Sequence, residues 1–333
     1  MTRPLAVLLA HAVLGAGILG AGLLGTGVAP AAAQGFPNRV ITIVSPAPAG
    51  GITDTIGRAL AQRFSAKWGQ QAVVENKPGA NNQIAAEYVL NQPADGHTLF
   101  IAPDSTFVAN PSLYPKLPYD PYKSFTPISG LVIINHGLIA HPTFPPNNVK
   151  EFIEYAKSKP GEINYGTYGI GSSGHLNMLL FESMTGTKLQ PVHYKGAAPA
   201  TNDVIAGHIP IMFVSAASGA PLYRDGKLKY FAVGGSKRLP QLPDIPTVAE
   251  TVPGYEGISW FALVGPAGIP PETVAKINAE VRGMFADPEM QKNFVDRFML
   301  QPMLMSPEEL MAFIRKEEPK WRKVITEAKL KVE

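Results

Sequence analysis

Cysteine is absent from the 333 residues. That excludes disulfides, a lipid anchor on a cysteine and a thiolate zinc site, so the fold has to be held by its core. Excess charge of either sign is also missing. A net charge of +3 with no dense Lys/Arg stripe excludes a nucleic-acid surface. The seven histidines show no H-x-H or H-E-x-x-H spacing, so neither a metal nor a cofactor is expected. His136, His141 and His193 are read as solvated or packed singly. No G-x-x-x-x-G-K-[ST] loop and no G-x-S-x-G elbow is present. Glycine and proline are plentiful, 32 of each, but dispersed, which means many short loops and not a disordered tract. With 45% hydrophobic and 17% charged residues, the chain can bury a large core, expected in two lobes.

One long apolar run stands at the N-terminus. Arg3 precedes the apolar stretch from Leu5 to Ala29, and Ala31-Ala32-Ala33 offers a small-residue cleavage site. Residues 1–33 therefore read as a secretory signal peptide cleaved near Ala33, with a membrane anchor as the alternative.

From Arg39 the pattern alternates. Strands are expected at 39–44, 71–75 and 98–102, separated by helices at 54–68, with Thr53 as N-cap, and 83–90. This is the β-α-β-α-β plan of a parallel sheet with helices on its faces. The apolar run 128–140 exceeds an ordinary strand and is expected to cross between lobes. Strands at 163–167, 191–193, 209–214 and 228–233, with helices at 150–157, 175–184 and 198–206, predict a second α/β lobe. Residues 258–264 are the expected return crossing. Helices at 273–285, 289–298, 307–316 and 320–329 close the chain.

Two glycine-rich loops carry the chemistry: "PAPAGGITD", Pro46 to Asp54, and "TYGIGSSGH", Thr167 to His175. Each follows a strand and enters a helix. Glycines let several backbone N–H groups converge, and a helix start adds unpaired donors and its positive dipole end. The product is an anion cradle that needs no Lys or Arg. The competing structural explanation is a turn followed by an N-cap. Gly169 to Gly174 also satisfies G-x-G-x-x-G, but the acid expected about 20 residues later is missing from Leu189 to Lys195. The same motif also occurs at Gly15 to Gly20. A nucleotide is set aside. Ser172 or Ser173 with His175 and Asp54 could be drawn as a hydrolase triad, though Ser173 and His175 stand one residue apart. His175 is read as a ligand contact or as a cap of its own helix.

The blocks "FPNRVITIVSPAPAGGITD", "VVENKPGANNQIAAEYV", "PADGHTLFIA", "NPSLYPKLPYDPYKSFTPIS", "INYGTYGIGSSGHL", "PVHYKGAAPATNDVIAGHIPIMF", "LPDIPTVAE" and "WFALVGPAGIP" extend over nearly all of the chain after residue 33. Together and in this order they resemble the substrate-binding component of tripartite tricarboxylate transporters, the Bug or TctC family. The resemblance implies a two-lobed periplasmic binding protein of type II, each lobe a mixed sheet flanked by helices. Lobe I would comprise 36–136 plus 256–333 and lobe II 137–255, with the ligand cleft between them. It implies a monomer in the periplasm that captures a small mono-, di- or tricarboxylate, aliphatic or aromatic, for a membrane permease, and that is not an enzyme. A secreted serine hydrolase using Ser173 and His175, or a ligand-sensing partner of a membrane receptor, is the alternative.

On the family pattern the first loop would bind through Ala49, Gly50, Gly51 and Thr53, with Asp54 as its brace. The second would use Gly169, Gly171, Ser172, Ser173 and His175. Four departures bear on the ligand. Gly79-Ala80-Asn81-Asn82 replaces a glycine-rich third loop, and Asn82 would face the cleft or cap its helix. Tyr168 stands where a small residue is usual. Asp104-Ser105-Thr106 replaces an uncharged stretch, so Ser105 has an acid beside it. Ser215 replaces Asp or Asn.

Overall fold

The computed structural model describes residues 35–332; the signal-peptide segment 1–33 lies outside them. The chain opens with β1 (Ile41–Ser45), α1 (Ile52–Trp68), β2 (Ala72–Asn76), α2 (Gln83–Leu90) and β3 (Thr98–Pro103). β1 pairs in parallel with β2 on one side and β3 on the other. Two single turns, α3 (Ser105–Val108) and α4 (Asn110–Leu113), lead to the long β4 (Phe125–Ala140). Next come α5 (Val149–Ser158), β5 (Asn164–Thr167), α6 (Ser173–Thr185), β6 (Gln190–His193) and α7 (Ala197–Ile205). They are followed by β7 (Ile211–Ser215), α8 (Ala216–Arg224) and β8 (Lys229–Val233). β9 (Ile258–Pro266), α9 (Pro271–Phe285), α10 (Pro288–Met290), β10 (Leu300–Pro302) and α11 (Pro307–Glu327) complete the described chain.

All the strands belong to one mixed sheet, ordered β2-β1-β3-β9-β4-β7-β5-β6, with β8 and β10 also on β4. β4 holds the two halves together. Phe125 to Asn135 pairs antiparallel with β9, and Val132 to Ile134 also with β10. From His136 to Ala140 it pairs instead with β7 and, from Gly137, with β8. The change of partner falls at Asn135/His136, where the chain also returns. Gly234 N–H donates to the His136 carbonyl at 2.7 Å, and Gly257 N–H to the Gly234 carbonyl at 2.9 Å. A Cβ on Gly234 would lie 2.4 Å from the Gly257 carbonyl oxygen, so only glycine permits this crossing.

α11 packs across the junction against β4, α3 and α6. The sequence predicts two helices here, separated near Pro319. The structure has one, running through Pro319 and started by a Ser306/Glu309 capping box. An interior proline costs about 3 kcal/mol. Burial of Trp321, Val324 and Ile325 beyond it offsets that cost, at about 1.5–3 kcal/mol for each large apolar side chain. Three further differences have local causes. α8 contains Gly219 and Pro221, which hide its helical signal, while Ser215 caps it from outside. The segment expected as a helix at 289–298 is π-helical from Gln291 to Asp296. Gly51, and not Thr53, is the N-cap of α1; Thr53 lies inside the helix, and its hydroxyl is buried against the Ser45 hydroxyl at 2.9 Å.

The loop before α2 is strained. Ala80, Asn81 and Asn82 follow Gly79 with φ of 45°, 47° and 74°. Asparagine tolerates the left-handed region; alanine has no such compensation. Ala80 is exposed, so its methyl group does not pack in the core. Ala80→Gly is expected to stabilise the fold by about 0.5–1 kcal/mol. Urea denaturation checks this, and a lower midpoint would contradict the strain.

Candidate functional site

A cavity of about 340 Å³ lies between the two halves of the sheet. The elements that meet there do so largely through helix starts. Ile52 of α1, Ser105 of α3, Ser172 and Ser173 of α6, Ala197 of α7 and Ser215 and Ser218 of α8 all line it. No lysine or arginine lines it. Parallel β-α units place this many N-termini together because each helix begins at the carboxyl end of its strand.

The helix starts are not equivalent. Ser172 caps α6 by accepting from His175 N–H, and Ser215 caps α8 by accepting from Ser218 N–H. α1 and α7 begin after Gly51 and Gly196, and no side chain caps either. Their first N–H groups, with the positive end of each dipole, are the donors suited to an anion. α7 is absent from the sequence-based site. The signal was Gly196 before a helix, in "YKGAAPA", but the strand ahead of it lacked a glycine-rich loop.

The second loop differs from the expected nest. Gly169 N–H donates to Thr167 Oγ1, Gly171 N–H to His175 Nδ1 and Ser172 N–H to the Gly169 carbonyl. The Tyr168 hydroxyl lies 3.0 Å from Ser173 Oγ, and Gly174 N–H approaches it. Most of the loop's donors are thus engaged by the loop itself. His175 is 1% exposed and does not line the cavity; it braces the loop, with its ring edge-on to His193. Burial first, and His193 second, depresses its pKa to about 4, so it is neutral. Ser173 and His175 each have other partners, which leaves the serine without a base. Gly171, Ser172, Ser173 and Tyr168 line the cavity; Gly169 does not.

In the first loop Asp54 is a brace. It accepts from Gly50 N–H at 2.9 Å, from Arg58 and from Asn76. The Arg58 hydrogen bond holds its carboxyl below the usual range. Ala49 and Gly50 are exposed, and Gly50 borders an adjoining pocket of about 370 Å³, with Ile52, Ser215 and Arg297. Ala49, Gly51, Thr53 and Asp54 border neither space. Asn82 does not cap α2 through its side chain; its Nδ2 donates to Ser105 Oγ at 2.8 Å, and both line the cavity.

Asp104 was expected as an acid near the cleft, and it lines the cavity; the places of His136 and Asn177 were not foreseen. The Asp104 carboxyl caps α3 by accepting Ser105 N–H at 2.7 Å, while the Ser259 hydroxyl and Trp260 backbone N–H approach it. Burial raises its pKa to about 7. His136, read as an isolated ring, is 3% exposed and lines the cavity with Nδ1 unpartnered. Burial lowers its pKa to about 4. Asn177 is fully buried and also lines the cavity; its Nδ2 donates to the Gly257 carbonyl at 3.2 Å, which leaves Oδ1 unpartnered. Among the described residues no cluster of three or more His, Asp or Glu could hold a metal, and no helix is long and apolar enough to cross a membrane.

A mixed α/β sheet folded around a cavity ringed by helix starts defines a binding protein for a small solute. Comparison with known proteins gives its kind. Residues 56–330 match the family described as "Tripartite tricarboxylate transporter family receptor". The chain is 31% identical to a UPF0065 protein from the tcbD-tcbE intergenic region of Pseudomonas sp. (strain P51), over 89% of this chain and 88% of that one. Among solved structures it is similar to R. palustris Rpa4515 with adipate, at 34% identity and TM-score 0.79, covering 89% of this chain and all of that one. It is also similar to MatC (Rpa3494) from Rhodopseudomonas palustris with bound malate, at 32% identity and TM-score 0.74, covering 87% of this chain and all of that one. The chain belongs to the tripartite tricarboxylate transporter receptor family, whose members are periplasmic solute-binding proteins.

The cavity carboxyl makes stability depend on pH. Asp104 has a folded pKa of about 7 against an ordinary 3.8, so the folded chain holds a proton that the unfolded chain has lost. Stability therefore falls as pH rises through that window. Glu182, pushed up by burial to about 7, acts in the same sense. Asp104→Asn keeps an acceptor for Ser105 N–H and removes the Asp104 contribution. Relative to wild type its melting temperature is expected to gain several degrees between about pH 5 and about pH 8. A difference that does not change with pH would contradict the assignment.

Proposed function

We propose that the protein captures a small carboxylate between two lobes, 36–136 plus 256–333 and 137–255, and delivers it to a membrane permease after export to the periplasm. The observation that carries this reading is the pair of uncapped helix starts, α1 after Gly51 and α7 after Gly196, on a cavity with no lysine or arginine in its lining. A hydrogen bond to a charged group is worth about 1.5–3 kcal/mol, and each dipole adds up to about 1 kcal/mol. Three or four such bonds supply roughly the 8 kcal/mol of a micromolar complex before the entropic cost of association. Ser172 and Ser215 shape the wall as the caps of α6 and α8, Ser173 lies beside the Tyr168 hydroxyl, and Tyr168 narrows the space. The carboxylates named with the solved relatives, adipate and malate, support the ligand class. The two junction strands at Asn135/His136 and Gly257/Ile258 are where lobe closure would bend. Ligand then favours the closed state by its differential affinity.

The test places a competing charge at one helix start. Ala197→Asp puts a carboxylate at the first position of α7, where it suits the dipole and leaves stability within about 1 kcal/mol of wild type. Calorimetric titration with the carboxylate that most raises the melting temperature, adipate and malate included, is expected to show at least about a tenfold loss of affinity, 1.4 kcal/mol. Unchanged affinity would remove α7 from the site. Consumption of the ligand by the purified wild-type chain would favour the hydrolase reading.

A further inference from the structure

Exposure marks where the cavity meets solvent. Of the residues that line it, Ser218 alone is exposed. Ser218 also lines the adjoining pocket of about 370 Å³, and Ile52, Ile134 and Ser215 border both spaces with it. The adjoining pocket reaches solvent at Gly50, Ser218 and Arg297, all of them exposed. Solvent, adjoining pocket and cavity thus follow one another along shared walls. Arg297 is the only charged residue in the lining of the adjoining pocket. It has no carboxylate partner among the described residues; its guanidinium lies 5.5 Å from the centre of the Phe298 ring, which lines the same pocket. Asp296, next to it in sequence, does not line the pocket and accepts from Gln241 Nε2 at 3.4 Å. Arg58, beside the first loop, is by contrast paired with Asp54 at 2.9 Å. The free guanidinium and the helix starts act over different ranges. A helix dipole fades within one turn, so α1 and α7 can hold a carboxylate without drawing one in from solvent. A full charge acts over a Debye length, about 8 Å at physiological ionic strength and about 30 Å at 0.01 M salt.

We propose that the adjoining pocket is the entrance to the cavity and that Arg297 draws anionic solutes into it, as an encounter site that the carboxylate leaves on reaching α1 and α7. The proposal rests on carboxylate capture at those helix starts and adds the route and its rate. A charge at the rim acts on the association rate and its salt dependence, whereas contacts made in the bound state act on the dissociation rate. Arg297 is therefore a steering residue, and the serines at the neck separate it from the bound solute.

The experiment measures association and dissociation rates with adipate, malate and terephthalate. Stopped-flow intrinsic fluorescence reads them, because Trp321 lines the cavity; surface plasmon resonance serves for a probe that leaves the fluorescence unchanged. At about 10 mM salt, for each probe that binds, Arg297→Gln is expected to lower the association rate about threefold or more and Arg297→Glu about tenfold or more. Arg297→Lys keeps the charge and is expected to stay within about twofold of wild type. At about 0.5 M salt all four proteins are expected to converge to within about twofold, a recovery that a damaged fold would not show. Dissociation rates are expected to change by less than about twofold throughout. Equal association rates at low salt overturn the proposal. So does a loss that persists at high salt or appears only in dissociation, which would make Arg297 part of the bound site. Each of these outcomes leaves carboxylate capture standing. Failure of all three probes to bind wild type at millimolar concentration overturns both.

Discussion

Helix starts leave donors that the helix cannot satisfy, and this constraint organises the structure. An α-helix begins with N–H groups that have no carbonyl to meet, and burying them without a partner is costly. Here several helices begin at the carboxyl ends of strands in one mixed sheet and converge on one cavity. Two of them, α6 and α8, are closed by their own serines. α3 is closed by the Asp104 carboxyl, while α1 and α7 begin after glycines that have no side chain to offer. On the proposed reading, a solute carrying negative charge would complete what the chain leaves open.

The arrangement depends on β4. Its sixteen residues pair with one set of strands up to Asn135 and with another from His136. The two halves are therefore joined through a backbone ladder, with glycines where the return strand passes close. α11 lies across the same junction, and burial of Trp321 offsets the cost of Pro319 inside the helix. A cavity built between such halves can change width by bending at few residues while its walls stay rigid.

Much of this was legible in the sequence. The β-α-β-α-β opening, the long crossing strand and the second alternating region follow from apolar periodicity and glycine punctuation, and the quoted blocks gave the family. What was hidden had physical causes. Pro221 and Pro319 break the local helical signal, and only tertiary packing overrides it. The second loop's internal bonding was hidden because a glycine loop advertises donors without saying who accepts them. His175 and Tyr168 lie in the loop's own sequence, and their engagement of Gly171 N–H and Ser173 Oγ is a matter of rotamers. Asp104, His136 and Asn177 come from three separate segments, and only folding brings them to one cavity. Asp54 was read as a brace, and its bonds to Gly50, Arg58 and Asn76 have that geometry.

The most direct measurement is a crystal structure of the protein with its tightest-binding carboxylate. The account predicts carboxylate oxygens within about 3 Å of the first backbone N–H groups of α1 and α7, with no lysine or arginine in contact. A carboxylate held instead by Arg297 in the adjoining pocket, or by the second loop alone with α7 untouched, would contradict it.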